Sequence, residues 1–566
     1  MMSLEPVEEV VSATDSRYAW SYPVDGPIAG PRTTSRTNSR PKKVSTVWYV
    51  GLPLTSAHRG SHSGGGALIA EAGDQSRYAN EGTVYPHASL IEMITYQNAC
   101  FPHLAWRYLD MSHVDWAEVR ARIQADPPDV AAFTVYSSTA MWAYIVAAEI
   151  RRVNPDAVIV FGNDHAGILH REVLTGAYGS KIVDFVCTGN NGPFTMMGLL
   201  SWLEGRLDLA RVPSLAYRDG TGAVRNQAAP TYPLSGRMLP DYRLVEDQLV
   251  EHYDDAFRVW YASHYELQRM VTLPLDGGCN WGRRPTRRCL HCSIQGLTPK
   301  TTDVGAAVAT LEVLVGELKS NVYAAGDSTL GMSKAQWGGT TSFLDELAAA
   351  CDASDVLRGR RFMLAYGLVY EFLQSAELCK GFVQTWNVGI EAFDPKLLKD
   401  NSKGINKGPD RVFEALQLAR DLDYKMYLSG ILGLPGTTLR QLKEEVDNWL
   451  SIAETYAGSI TTVSVAAPAI IPGSRMYRDA FRRHAAVREW HGELLPIRKL
   501  SELYVRENTE VELADVEAAL TDLGRGVIAL DNAGAGIKFG GYMLGGVDQE
   551  ETYERRLLDE IFAQLG

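Results

Sequence analysis

Three cysteines stand close together in the stretch DGGCNWGRRPTRRCLHCSIQG, residues 276–296: Cys279, Cys289 and Cys292. Nine residues separate the first two and two separate the last two, so the second pair has the spacing at which thiolates share a metal ion or one edge of a cluster. Structural zinc wants four protein ligands. His291, the nearest candidate for a fourth, sits between two of the cysteines, where its ring turns away from a shared metal. An iron–sulfur cluster on three thiolates instead leaves one iron open for a small ligand. The residues by themselves leave iron–sulfur, zinc and a metal-free loop open. Arg283, Arg284, Arg287 and Arg288 fill the gap after Cys279, as a solvated basic face or as a clamp on an acidic substrate or an electron donor. The other four cysteines, Cys100, Cys187, Cys351 and Cys379, are scattered and read as free buried thiols acting as small hydrophobes.

The elements that must position this stretch alternate along the chain. From Val47 the runs VWYVGLP, LAWRYLD, DVAAFTVY, AVIVFG and VDFVCTG are β-rich, and helices near 88–101, 115–125 and from 139 separate several of them. That order predicts a doubly wound parallel sheet over 45–210, with ligands beyond the carboxyl ends of its strands. The segment between Pro53 and His87, with HRGSHSGGGA, is a long connection on that edge. Residues 211–265 read as a connector, with VPSLAYRDGTG as a small hairpin. A second series over 266–480, from VTLPLD through NVYAAGD, RFMLAYG, VQTWNVGIEAFD and KMYLSGILGLPG to ITTVSVAAPAIIPG, gives six strand–helix repeats and a full or partial barrel. The cysteine stretch follows its first strand. Residues 481–566 read as a mostly helical region without a catalytic signal, and 1–44, rich in Ser, Thr, Arg and Pro, as disordered.

Length and composition bound the rest. A chain of 566 residues has room for two to four domains, and 46% hydrophobic with 22% charged residues is ordinary for a globular protein. The longest apolar runs, such as Ala140 to Ala148, fall far short of the roughly 20 residues of a membrane span. Seven cysteines, clustered once and odd in number, suit a reducing compartment, and the acidic start MMSLEPVEEV suits the cytoplasm rather than secretion. A formal charge of −13 argues against nonspecific nucleic-acid binding.

Taken together, the order of a doubly wound domain, a connector and a barrel whose first loop carries three cysteines resembles the cobalamin-binding radical S-adenosylmethionine (SAM) enzymes. Over 45–480 the likeness is carried by DVAAFTVYSST, VIVFGNDHAG, VDFVCTGNNGPF, MLPDYRL, WNVGIEAFDPKLL, GILGLPGTT and APAIIPGSRMY. GCNWG followed by CLHCSIQG looks most like the branch that modifies ribosomally made peptides. The chain departs from the common pattern in having nine residues rather than three between the first two cysteines, so the loop must bulge to bring Cys279 back.

The resemblance implies a fold and a set of positions: a cobalamin-binding domain, a partial (β/α)6 radical SAM barrel and a helical C-terminal region. It gives Cys279, Cys289 and Cys292 a 4Fe-4S cluster whose open iron takes SAM. Gly326, Asp327 and Ser328 in AAGDST would bind the methionyl amine, and His291 would lie beside the adenine. Asp327 also suits a helix N-cap. Glu391 would face the SAM region, or make a structural salt bridge, and Gly433 and Pro435 in GLPG would let backbone approach the cofactor. Ser137, Ser138, Thr139 and Gly189 would contact the nucleotide tail of cobalamin. Gly162 and His165 in GNDHAG would lie beside the corrin. His165 lacks the flanking Asp and Gly of a cobalt-ligating histidine, which points to edge contact or a structural hydrogen bond. Asn190, Asn191 and Gly192 replace a more usual Gly-Glu-Gly.

The expected activity is cobalamin-dependent methylation of an unactivated carbon in a peptide or small molecule, with electrons from a reducing protein such as a ferredoxin or flavodoxin. No residue is assigned as catalytic. A non-methylating cyclisation, rearrangement or oxidation is the alternative among enzymes. A cobalamin sensor or a zinc-stabilised binding module is the alternative outside them.

Overall fold

The computed structural model describes residues 44–52, 85–189, 191–219, 221–222, 224–226, 236–261, 265–277, 289–293, 300–324, 343–401, 408–540 and 553–565. Cys279, the four arginines of its loop, Asn190, Gly326, Asp327 and Ser328 lie outside these residues, as does most of the 54–87 connection.

The first sheet is built on β1 (Thr46–Gly51), β2 (Ala105–Asp110), β3 (Val130–Thr134), β4 (Val158–Gly162) and β5 (Phe185–Cys187), parallel in the order β2-β1-β3-β4-β5. The order reverses between β1 and β3, and a doubly wound sheet leaves its ligand crevice there, outside the carboxyl ends. β6 (Leu215–Arg218) and β7 (Val224–Asn226) form the hairpin expected in the connector. They do not stand alone: β6 pairs antiparallel with β5 and extends the first sheet. An isolated hairpin has too little apolar face to be stable in water.

The second sheet contains β8 (Arg269–Thr272), and β9 (Asp276–Gly277) and β10 (Lys300–Thr301) form a separate antiparallel pair beyond it. The main sheet continues with β11 (Ser320–Ala324), β12 (Met363–Leu368), β13 (Val383–Glu391), β14 (Lys425–Ile431), β15 (Ile460–Ala466) and β16 (Lys538–Phe539). All seven strands are parallel, in the order β16-β15-β14-β13-β12-β11-β8. β8 and β16 are its two edges, so the barrel is partial. All six sequence-expected strands are present, and the seventh comes from the C-terminal region.

Helices cover the outer faces for reasons visible in their residues. The helix Leu439–Thr455 starts at a capping box in which Thr438 and Gln441 satisfy each other's backbone. It buries Leu442, Val446, Trp449 and Ile452. The helix Ala140–Val153 is buried on every side, since residues 140–151 are all buried. Two layers enclose it: the first sheet on one side and the helix Tyr553–Ala563 on the other. Phe562 and Tyr178 meet edge to face at 4.9 Å, and the Tyr178 hydroxyl donates to Asp559. Leu558 and Ile561 are buried in this contact, each stabilising it by roughly 1.5–3 kcal/mol. The C-terminal region therefore touches both sheets, adding a strand to one and a covering helix to the other. No helix among the described residues is long and apolar enough to cross a membrane.

Candidate functional site

The two sheets present the carboxyl ends of their strands to a shared junction. After β8 the chain passes into β9, and the β9–β10 pair joins Gly277 to Lys300, closing the base of the loop that holds all three clustered cysteines. Within it, residues 289–293 are half-buried, and Cys289 and Cys292 belong to no disulfide. Two hydrogen bonds tie this turn to distant segments. Met476 N donates to Leu290 O at 3.1 Å, and Ser293 Oγ donates to Asp164 Oδ2 at 3.1 Å. The first ties the turn to the start of the helix Arg475–Arg483 after the last barrel strand, and the second ties it to the first sheet.

Asp164 lies just beyond β4. Asn163 before it takes a left-handed conformation (φ 74°), uncommon for a side-chain-bearing residue and held here by its amide donating to Thr134 Oγ1 at 2.8 Å. His165 comes next and is 2% exposed. Its Nδ1 faces Ser137 Oγ at 3.0 Å and its Nε2 faces the main-chain oxygen of Glu493 at 3.0 Å. Burial lowers the ring to about 4, so it is neutral, with a proton on Nε2 for the carbonyl and a lone pair on Nδ1 for the hydroxyl. His165 is thus a structural hydrogen-bonding residue and not an open ligand. Ser137 is occupied with it. Thr139 is fully buried, its hydroxyl engaged with the Tyr136 backbone, so it shapes the loop, whereas Ser138 is exposed. A Cβ on Gly162 would meet only ordinary contacts. One on Gly189 would come within 2.8 Å of Ser214 Oγ, so that glycine serves the approach of β6.

Inside the partial barrel, β13 alternates. Trp386 faces the helices and packs edge to face on Phe372 at 5.5 Å. Asn387 is on the other face, donating to Tyr323 Oη at 3.1 Å and accepting from Ser429 Oγ at 3.2 Å. This polar line crosses β11, β13 and β14. Gly389 follows, and a Cβ there would lie 2.8 Å from Glu391 Oε1 and 3.5 Å from Tyr366 Oη. Glu391 is 7% exposed and left-handed (φ 68°), at a shift in the register between β13 and β14. Non-glycine residues in that region cost about 1–3 kcal/mol and gather at sites that need them. Tyr323 also meets Tyr85 edge to face at 5.6 Å, which joins the barrel mouth to the first sheet's side.

The turn GLPG, residues 433–436, packs against the C-terminal region. Gly433 has φ 80°, and a Cβ on it would lie 2.7 Å from Val516 Cγ2. Pro435 O accepts from Asn401 Nδ2 at 3.3 Å, and Gly436 N donates to Asn508 O at 2.7 Å. The close approach it allows is to the C-terminal helices, where that region seals the barrel end. Cys351 and Cys379 are buried thiols pushed up to about 12 by burial, inert as expected, but Cys100 is exposed.

No protein-family profile matches the chain, and no curated protein matches it by sequence. Solved structures do match. TsrM from Kitasatospora setae, a radical S-adenosylmethionine methyltransferase with cobalamin and a 4Fe-4S cluster bound, aligns with a TM-score of 0.56 at 15% identity, covering 92% of this chain and 99% of that one. The same enzyme with tryptophan substrate and a SAM analogue bound gives 0.52 at 17% identity, over 77% of this chain and 76% of that one. OxsB, a cobalamin-dependent S-adenosylmethionine radical enzyme with aqua-cobalamin bound, gives 0.52 at 14% identity over 83% of this chain. The chain has the fold of cobalamin-dependent radical SAM enzymes. It spans 59% of the length of OxsB.

The residues present fit the groups that bind in this fold. Cys289 and Cys292, half-buried and two residues apart, offer two sulfur donors for a cluster; no group of three metal-binding side chains occurs among the described residues, and Cys279 lies outside them. At the carboxyl edge of the first sheet, Ser138 is exposed and Gly162 is half-buried. Sequence reasoning missed the residues that join the two halves: Asp164, Ser293 and Glu493. Asp164 and Ser293 were within quoted motifs, but only the folded chain pairs them.

Proposed function

We propose that the protein is a cobalamin-dependent radical SAM methyltransferase that methylates an unactivated carbon in natural-product biosynthesis, with a ribosomally made peptide as its substrate class. The observation that supports this most is the Ser293–Asp164 bond, which brings the cysteine turn against the carboxyl edge of the first sheet. Methyl transfer to a carbon needs hydrogen abstraction and methyl donation at one substrate atom. An offset of an ångström or so costs about a hundredfold in rate. When bound, the cluster with SAM supplies a radical for hydrogen abstraction, and methylcobalamin supplies the methyl group.

The chain's own residues divide the remaining work. Cys279, Cys289 and Cys292 would hold the cluster and keep one iron free of protein. Glu391, held by the register shift in β13, would orient SAM together with Gly326, Asp327, Ser328 and His291. Ser138 would contact the nucleotide tail of cobalamin and Gly162 would border the corrin, while His165 holds the helix Asn163–Ile168 in place. Ile168 in the core and the half-buried Leu290 packed against it would limit water at the turn. A low-potential reducing protein such as a ferredoxin or flavodoxin would supply the electron.

The test is anaerobic reconstitution with iron, sulfide and hydroxocobalamin, followed by incubation with labelled SAM, a reductant and peptides encoded near the gene. The expected outcome is methylated peptide formed in step with 5′-deoxyadenosine and S-adenosylhomocysteine. Deoxyadenosine without S-adenosylhomocysteine would replace methylation by cyclisation, rearrangement or oxidation. Protein that holds zinc alone, with no cluster absorption, would end the radical reading. Cys289→Ser and Cys292→Ser should each abolish the cluster band and the paramagnetic signal of the reduced cluster.

A further inference from the structure

We propose that Asp164 is a positioning residue that couples the cluster site to the corrin site, so that loading of either strengthens loading of the other. The inference rests on the cofactor assignment above and adds a thermodynamic link between its two halves.

The geometry is a three-way junction. Asp164 follows β4 directly, and its neighbour Asn163 is held in a left-handed conformation by Thr134, which fixes where the Asp164 backbone leaves the sheet. Its carboxylate accepts from the hydroxyl of Ser293, the residue after Cys292. The third member is the loop after β15. Gly473 there has φ 85°, and a Cβ on it would lie 2.7 Å from Ile168 Cδ1 and 3.5 Å from Ser293 Cβ. First-sheet helix, cysteine turn and last barrel loop thus meet within contact distance.

The cysteine turn, residues 289–293, is half-buried and contains no helix or strand, whereas Asp164 sits in the first turn of the short helix Asn163–Ile168 that opens after β4. Its conformation is set by outside contacts, and Asp164 supplies one of them. A corrin bound over Gly162 would restrain the start of the helix Asn163–Ile168, and the restrained carboxylate would hold Ser293, and with it Cys292, in one arrangement. Linkage makes the effect reciprocal: a loaded cluster fixes the turn, which in turn restrains the helix start under the corrin. The hydrogen bond and the packing around Gly473 act at the same junction, so the coupling rests on both contacts together.

The experiment is an anaerobic titration of hydroxocobalamin into full-length protein with and without its reconstituted cluster, followed by absorption. Cluster and cobalamin contents are measured separately. For the unaltered chain the cluster should tighten cobalamin binding by roughly fivefold or more, within the usual range of coupling between sites. Ser293→Ala and Asp164→Ala should bring the ratio close to one. Asp164→Asn, which keeps an acceptor, and Ser293→Thr, which keeps the hydroxyl, should restore most of it. The reduced cluster's paramagnetic spectrum should shift when cobalamin is added to the unaltered protein and stay put in Ser293→Ala. A Ser293→Ala protein with unaltered coupling overturns the inference, as does an unaltered chain that binds both groups independently. If Asp164→Ala does not fold, Ser293→Ala, which removes one oxygen, still decides the matter. Protein that takes up no cluster or no cobalamin at all would instead remove the function on which the inference rests.

Discussion

The Nε2 of His165 lies 3.0 Å from the main-chain oxygen of Glu493, 328 residues further along the chain. That bond joins the helix after β4 to the C-terminal region, and with Ser137 on Nδ1 it uses both ring nitrogens.

His165→Ala should therefore leave the axial coordination of bound cobalamin unchanged. The paramagnetic spectrum of the cob(II)alamin form reports it, and loss of a nitrogen splitting on substitution would place the ring on cobalt after all. Folding should suffer instead, by roughly 2–4 kcal/mol, because Ser137 and the Glu493 carbonyl lose a buried partner. The folded ring titrates at about 4, below its ordinary 6.5. As pH falls from 6.5 towards 4, the unfolded chain binds a proton that the folded ring refuses, so stability is lost across that window. Urea midpoints between pH 4.5 and 7 should show a shallower slope in the variant.

Glu445 predicts the opposite dependence. It accepts from the backbone N–H groups of Phe393 and Asp394, just after Glu391, yet burial raises its carboxyl to about 7. Its folded pKa lies above the unfolded one, so its contribution is complete below about 4.5 and is lost as pH rises through 7. Glu445→Gln, which resembles the protonated form, should be more stable than the unaltered chain at pH 8 by on the order of 3 kcal/mol and nearly equal to it at pH 5. Equal midpoints at both pH values would refute the assignment.

Gly433→Ala should destabilise the protein through two separable effects. The left-handed backbone costs a side-chain-bearing residue about 1–2 kcal/mol, and the new methyl would press on Val516. Adding Val516→Ala should relieve only the second, so thermal melting of the double variant should recover part of the loss relative to Val516→Ala alone.

Gly389→Ala probes the barrel interior. Its methyl would displace the Glu391 carboxyl, which lies 2.8 Å from where the new carbon must sit. SAM affinity of the cluster-loaded protein, measured by equilibrium dialysis, should fall about tenfold or more while the cluster band persists. Unchanged affinity would remove Glu391 from the SAM site.

Much of this architecture was legible because strand and helix patterns are local. The six barrel strands and the five parallel strands of the first sheet each carry their own apolar signature, and the capping box at Thr438 marks a helix start directly. The alternation of Thr385, Asn387, Gly389 and Glu391 with Trp386, Val388 and Ile390 also separates the faces of β13. What was hidden is contact between distant segments. The run Ala140 to Ala148 reads as part of a helix from 139 and as too short for a membrane. Its all-round apolarity also signals a helix covered from two sides, and the cover turned out to be Tyr553–Ala563. GLPG was legible as a turn, but its neighbour was not, since Val516 lies beyond any local pattern. Likewise nothing near Ser293 in the sequence announces Asp164.

The covering helix has a consequence for biosynthesis. Tyr178 and its partner Asp559 are 381 residues apart, so the first sheet emerges from the ribosome long before the helix that completes its outer layer. Until then the apolar back of Ala140–Val153 faces water, and nascent chains stalled short of residue 553 should be caught by chaperones or aggregate. The first sheet is thus synthesised long before the layer that completes it.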